Sequence, residues 1–245
     1  MGFLINPYNF AVPFDKTGLK VYWKFNQTSG LVTNDATAVG SADSLGIGAD
    51  LTISGATYNN TNSPFNTMNF DGIDDKGTAG TSLSQFNFMH NGGKWTVCMW
   101  VEIADDTEEG VLWSNTTGTN THGTNMLQAT DKKFHFRVFD SAIWLNRNLG
   151  LHGMTNGTQY FLTFTFDKDE ATNKATFYKN ATEIATGNES TTQGTPTNSP
   201  TALQIASQGA GGYLAIQIAE MSIWNRILSD GEISTLYGNG SGKAL

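Results

Sequence analysis

Residues Tyr213 to Gly238, YLAIQIAEMSIWNRILSDGEISTLYG, decide the fold of this 245-residue chain. They read as one long β-strand, a tight corner and a short capped helix. Leu214, Ile216 and Ile218 alternate with small or polar residues, as a half-buried strand does. The phase then slips, because Met221 and Ile223 fall on the opposite parity. Either a bulge near Ala219 and Glu220 or burial of both strand faces accounts for the slip. Asn225 and Arg226 turn the corner. Ser229-Asp230-Gly231-Glu232 follows as an S-x-x-E capping box, which satisfies the first free amides of a helix. Ile233, Leu236 and Tyr237 make the buried side of that helix, and Gly238 stops it.

The rest of the chain repeats the strand habit. Leu19, Val21, Trp23 and Phe25 alternate on one face, and Trp95, Val97, Met99, Val101 and Ile103 form the clearest apolar face of all. Further strands are expected near 51–53, 67–70, 83–88, 111–113, 133–139, 142–145, 160–166, 175–178 and 202–206, with Gly, Asn or Asp between them. Residues 27–48 read as a long loop, 167–174 as a charged hairpin tip and 190–201 as an exposed connector. With 27 Gly, 5 Pro and many Asn and Thr, the composition suits short strands and tight turns. No internal repeat or composition break splits the chain. The expected fold class is all-β: a two-sheet antiparallel β-sandwich of the jelly-roll kind with one short C-terminal helix. Residues 1–18 read as an extended N-terminal arm, and residues 19–245 as the jelly-roll domain.

The net charge of −8 argues against nucleic acid or an anionic membrane as partner. No apolar run reaches the length of a membrane span, so no membrane insertion is expected. The opening MGFLINPYNFAVPF has no Lys or Arg before Lys16 and is interrupted by Pro7 and Pro13, so it does not read as a secretory signal. Cys98 is the one cysteine and reads as a small core hydrophobe.

The order of LKVYWKFNQTSG (19–30), MNFDGIDD (68–75), WTVCMWVEI (95–103), YFLTFTFD (160–167), ATFYKNATEIATG (175–187) and AEMSIWNRILSDGEI (219–233) resembles laminin-G-like domains. Those domains belong to the concanavalin A-like lectin/glucanase jelly rolls. The resemblance covers residues 19–240 and implies a concanavalin A-like sandwich. Many relatives carry an Asp where this chain has Ala219, and some use such acids near a calcium site. Calcium is therefore an open option, with Asp35, Asp71, Asp74 and the adjacent Asp75 as oxygen donors; Asp71-Gly72 also reads as a plain hairpin turn. Separately, MGFLINPYNF is similar to the N-termini of small virion proteins of tailed bacteriophages.

A glucanase of this superfamily aims carboxylates into one cleft from a strand of E-x-D-x-E type, and a retaining mechanism brings two of them about 5 Å apart. Glu102, Asp105, Asp106, Glu108 and Glu109 lack that spacing and read as a solvated turn, while Glu220 stands alone on the last strand. His90, His122, His135 and His152 show no metal-ligand spacing and read as surface or rim residues. No catalytic residue is expected. Sugar recognition instead needs aromatic faces and planar amides or guanidinium groups. Trp144, Asn146, Arg147 and Asn148 offer that set together, and Trp113 and Tyr213 are further stacking candidates.

The sequence thus points to a non-enzymatic, glycan-binding protein of a virion, as a head decoration, fibre or tail adhesin, and Phe3, Leu4, Ile5, Tyr8 and Phe10 would dock the arm. The expected partners are other virion proteins, host surface glycans and further copies of the chain as a homo-oligomer. The alternatives are an extracellular carbohydrate-binding module and a purely structural protein of the particle.

Overall fold

The structure, a computed structural model, describes residues 14–27, 30–62, 64–80, 83–91, 93–117, 122–140, 143–172, 174–184, 189–191, 198–199 and 201–245, with only the backbone at Leu83, Asp140, Ile143, Trp144, Ser190 and Thr191. The strands come in this order. β1 (Leu19–Trp23), β2 (Leu31–Val32), β3 (Leu51–Ser54), β4 (Thr57–Asn59), β5 (Thr67–Asp71) and β6 (Lys76–Ala79) lead. β7 (Lys94–Ile103), β8 (Gly110–Ser114), β9 (His122–Gln128), β10 (Lys133–Asp140), β11 (Ile143–Leu151) and β12 (Gln159–Asp167) follow. β13 (Ala175–Lys179), β14 (Thr182–Ile184), β15 (Glu189–Thr191), β16 (Leu203–Ile205) and β17 (Ala215–Trp224) complete the set, and helix α1 (Asp230–Tyr237) comes after them.

The strands form two antiparallel sheets. One is eight-stranded, ordered β14-β13-β12-β7-β17-β5-β4, with β1 also on β17. The other is nine-stranded, ordered β15-β11-β10-β9-β8-β16-β6-β3-β2. Val97, Met99, Val101, Trp113, Phe136 and Phe164 belong to the main core between them, all fully buried. A two-sheet jelly-roll sandwich with one short C-terminal helix is therefore the observed architecture.

Both explanations for the phase slip in β17 hold. Its register against β7 shifts between Ala219 and Ser222, and Glu220 adopts φ 49. On its other edge β5 pairs with Ala215–Ile218, whereas β1 pairs with Met221–Trp224. The bulge is thus the point where β17 exchanges one neighbour for another. A second apolar cluster (Tyr22, Cys98, Trp100, Ala219, Trp224, Ile233 and Leu236 among its members) covers the outer face of the eight-stranded sheet beneath α1. Cys98 lies inside it, and burial pushes its thiol up to about 12.

The helix forms as its sequence demands. The Ser229 hydroxyl accepts from Glu232 N, Glu232 reaches back to Ser229 N at 2.8 Å, and Gly238 at φ 57 provides the left-handed stop. Arg226 locks the corner: its Nη2 and Nη1 donate to Glu232 Oε1 and Oε2 at 2.6 and 3.0 Å.

Three expectations need correction. Residues 83–88 are not a strand: Leu83–Met89 is a 3-10 helix, whose three-residue repeat buries Phe86 and Met89 together. His90 and His152 are not rim residues. Both are buried, His90 with Nδ1 3.4 Å from Asn115 Nδ2 and His152 packed on the Phe134 ring. Lastly, residues 14–18 belong with the folded domain. Phe14 packs edge-on against Trp224, and Arg226 donates to the carbonyls of Thr17 and Asp15. Phe3, Leu4, Ile5, Tyr8 and Phe10 lie outside the described residues.

Candidate functional site

On β10, Phe134, Phe136 and Val138 enter the core, so strand alternation sends His135 and Arg137 to the outer face of the nine-stranded sheet. Cross-strand register then builds a row. Asn146 of β11 pairs with Arg137, Arg137 with Asn125 of β9, and Asn125 with Ser114 of β8. Ser114 pairs with Gln204 of β16, Gln204 with Thr78 of β6, and Thr78 with Thr52 of β3. Seven successive strands therefore place a polar residue at the same level of one face. A second, shorter row beside it contains Asn148, His135 and Leu127.

Arg137 is the centre of this surface. It is half-buried, and its Nε lies 3.4 Å from Asn146 Oδ1. Across the other strand, Asn125 is buried, and its Nδ2 donates to Gln208 Oε1 at 2.9 Å. Asn125 Oδ1 has no hydrogen-bond partner among the described residues. Burial holds Arg137 below the usual arginine range, partly offset by the field of Glu109. Burial also lowers the His135 pKa, against the pull of Asp131, whose Oδ1 is 3.4 Å from Nε2.

Of the residues singled out in the sequence, Asn146 and Asn148 lie on this face, and Asn148 Oδ1 also accepts from Gly150 N at 3.3 Å. Trp144 lies on the same strand, but its side chain is outside what is described. Arg147 does not join them. Strand β11 runs through the whole stretch, so Arg147 turns inward with Leu145 and Leu149, donates from Nε to Ala175 O at 3.1 Å and pairs with Glu189 at 3.7 Å. Trp113 is likewise no platform: it is fully buried, edge-on to Phe164 at 5.1 Å and to Trp95 at 6.2 Å. Tyr213 is half-buried beside β8, its carbonyl packed against Gly110. Arg137, Asn125, Gln204 and Gln208 were not singled out. The alternation Phe134-His135-Phe136-Arg137-Val138 carried the signal for the first.

The acidic groups are divided. Asp71, Asp74 and Asp75 bring carboxylate oxygens within 4.8 Å of one another, while Asp35 lies elsewhere, paired with Lys24 at 3.0 Å. Asp71 Oδ1 accepts from Ile73 N and Asp75 Oδ2 from Asp71 N, at 2.8 and 3.0 Å. The cluster is a turn closed by its own carboxylates. Among the described residues, those three could together hold a hard cation, which asks for six or more oxygens. Glu102 is not a loop acid: it sits on β7, where Gln217 Nε2 and Asn62 Nδ2 donate to its two oxygens at 2.7 and 3.3 Å. Glu220 accepts from the Tyr22 hydroxyl and lines a surface cavity of about 230 Å³ with Lys24, Asn26, Phe65 and Asn66. Burial raises its pKa.

Residues 75–234, well over half of the chain, match a laminin-G family model described as Concanavalin A-like lectin/glucanases superfamily. The chain belongs to that superfamily. No curated protein sequence matches it. Among solved structures, this lectin/glucanase-type domain is similar to Trypanosoma rangeli sialidase in complex with 2,3-difluorosialic acid, with TM-score 0.61 and 15% identity over 92% of the chain and 33% of the sialidase. It is also similar to the botulinum neurotoxin serotype D binding domain, with TM-score 0.61 and 11% identity over 91% of the chain and 51% of that domain. The chain thus spans about a third of the first and half of the second. At these identities the likeness is one of fold.

Proposed function

We propose that this domain is a non-catalytic carbohydrate-binding protein whose ligand lies across the outer face of the nine-stranded sheet. One observation carries the reading: Asn146, Arg137, Asn125, Ser114, Gln204, Thr78 and Thr52 form a polar row over seven strands. Ser114 and Asn125 are buried within it, and Asn146, Arg137, Gln204, Thr78 and Thr52 are the members open to a ligand; they supply amide, hydroxyl and guanidinium groups of the kind that fix sugar hydroxyls. The superfamily and the lectin-like fold support it. A non-catalytic role is supported by the state of the two best-placed glutamates. Glu102 is held by Gln217 and Asn62, and Glu220 by Tyr22, so each carboxyl is engaged by the protein itself.

A glycan array probed with the full chain tests this. Specific binding is expected, and Asn146→Ala should weaken it about tenfold, the loss of one good hydrogen bond, without shifting thermal unfolding. Binding that Asn146→Ala leaves intact would move the ligand to another surface. For the setting, we place the domain on a phage particle, facing host glycans. The support is the resemblance of residues 1–10 to virion proteins. Deleting residues 1–13 should abolish incorporation into particles while leaving the domain folded; full occupancy by the truncated protein would remove the docking role.

A further inference from the structure

We infer that the saccharide taken by this face carries a carboxylate, and that Arg137 is the residue that selects it; the inference rests on the carbohydrate-binding reading above. The three arginines of the chain make the case by contrast. Arg226 holds Glu232 through two bonds, at 2.6 and 3.0 Å, and lies 3.9 Å from Asp15. Arg147, nearly fully buried, pairs with Glu189 at 3.7 Å and with Ala175 O. Arg137 is different. The ion pairs among the described residues do not include it, and the one hydrogen bond its side chain makes among them runs from Nε to the neutral Asn146.

The register makes this absence of a counter-ion informative. Cross-strand neighbours are where a sheet places an opposite charge when the pair serves stability. Both neighbours of Arg137, Asn125 and Asn146, are amides instead. The long bond to Asn146 and the field of Glu109 repay only part of the desolvation of this half-buried guanidinium. Its two Nη groups keep their donors, set in the planar fork that matches a carboxylate with two parallel bonds. The surroundings suit an acidic sugar. Asn146, Asn148 and His135 flank the guanidinium on the same face and are each partly open to solvent. The charged groups nearby are Lys133 and Asp131 around His135, and the exposed Glu109, whose field reaches Arg137 without forming an ion pair. A ligand carboxylate seated on the fork lies closer than Glu109 does and takes over as counter-ion.

Titration of the full chain with oligosaccharides ending in uronic or sialic acid, each paired with its carboxyl-reduced alcohol and with a sulfated analogue, tests the inference. The carboxylated member should bind about tenfold tighter or more than its alcohol, the worth of a charge-assisted hydrogen bond. Arg137→Gln should erase that preference, and Arg137→Lys should keep only a minor part of it, with thermal unfolding unchanged in both. Equal binding of acid and alcohol, unaffected by Arg137→Gln, would overturn the selection while leaving carbohydrate binding standing. Tighter binding of the sulfated analogue would overturn the carboxylate assignment. Failure of every saccharide on a wide array would remove both the inference and the function beneath it.

Discussion

Arg137 and Arg147 sit one register step apart on β10 and β11 and project to opposite faces of the same sheet. Arg137 pairs across strands with Asn146, and Arg147 with Phe136. One guanidinium therefore faces solvent among amides, while the other is 2% exposed and ties the sheets together through Ala175 O and Glu189. Ten residues of separation and a shared residue type conceal two unrelated tasks.

That division sets the first expectation. Arg147→Ala removes the donor to the Ala175 carbonyl and leaves Glu189 without its cation, with only the Lys174 amide to hold it, and should cost about 3 kcal/mol, the lower range for breaking a buried pair. Arg137→Ala should stay within about 0.5 kcal/mol, as surface changes do. Urea denaturation of the two variants decides it; similar losses would mean that Arg137 is also structural.

The capped helix gives a second. Ser229 serves as N-cap to α1, whose Ile233 and Leu236 seal the outer cluster on the eight-stranded sheet. Ser229→Ala should lower stability by about 1 kcal/mol, the usual worth of such a cap. Equilibrium unfolding measures this directly, and a neutral result would show that the Arg226–Glu232 pair holds the corner without the serine.

The fold was legible because its devices are local. The slip between Ile218 and Met221, the S-x-x-E box and Gly238 each act within a few residues, and the bulge, cap and stop all stand where those residues place them. The odd face of β7 was equally plain, since Trp95 through Ile103 alternate without interruption. The candidate site was harder to read. Asn146 and Asn148 were visible, but Asn125, Gln204 and Gln208 join Arg137 only through pairing between distant strands, which one sequence does not display. Arg147 misled for a simpler reason. Asn146, Arg147 and Asn148 look like one polar cluster until strand parity divides them between two faces. Trp113 illustrates the same point, as an aromatic at the end of a short strand gives no sign of which side it takes.

A pH dependence follows from Glu220. Burial is the first cause that raises its pKa, against the Tyr22 hydrogen bond and Lys24. The folded state therefore holds this proton more tightly than the unfolded chain does. The stability it contributes is fullest at low pH and declines as pH rises from the ordinary glutamate value, about 4.3, toward the raised folded one. Glu220→Gln removes that titration and can still accept from Tyr22. Its melting temperature relative to the parent should climb as pH rises above the ordinary glutamate value of about 4.3. A constant difference would mean that the carboxyl titrates alike in both states.

Chemical-shift mapping of the full chain with its best array ligand tests the central claim most directly. A ligand seated on the nine-stranded sheet should perturb the amides of Asn125, His135, Arg137, Asn146 and Asn148 together, and leave the Asp71–Asp75 turn and the residues lining the Glu220 cavity unchanged. Perturbations gathered at that turn or that cavity, with Arg137 and Asn146 unmoved, would contradict it.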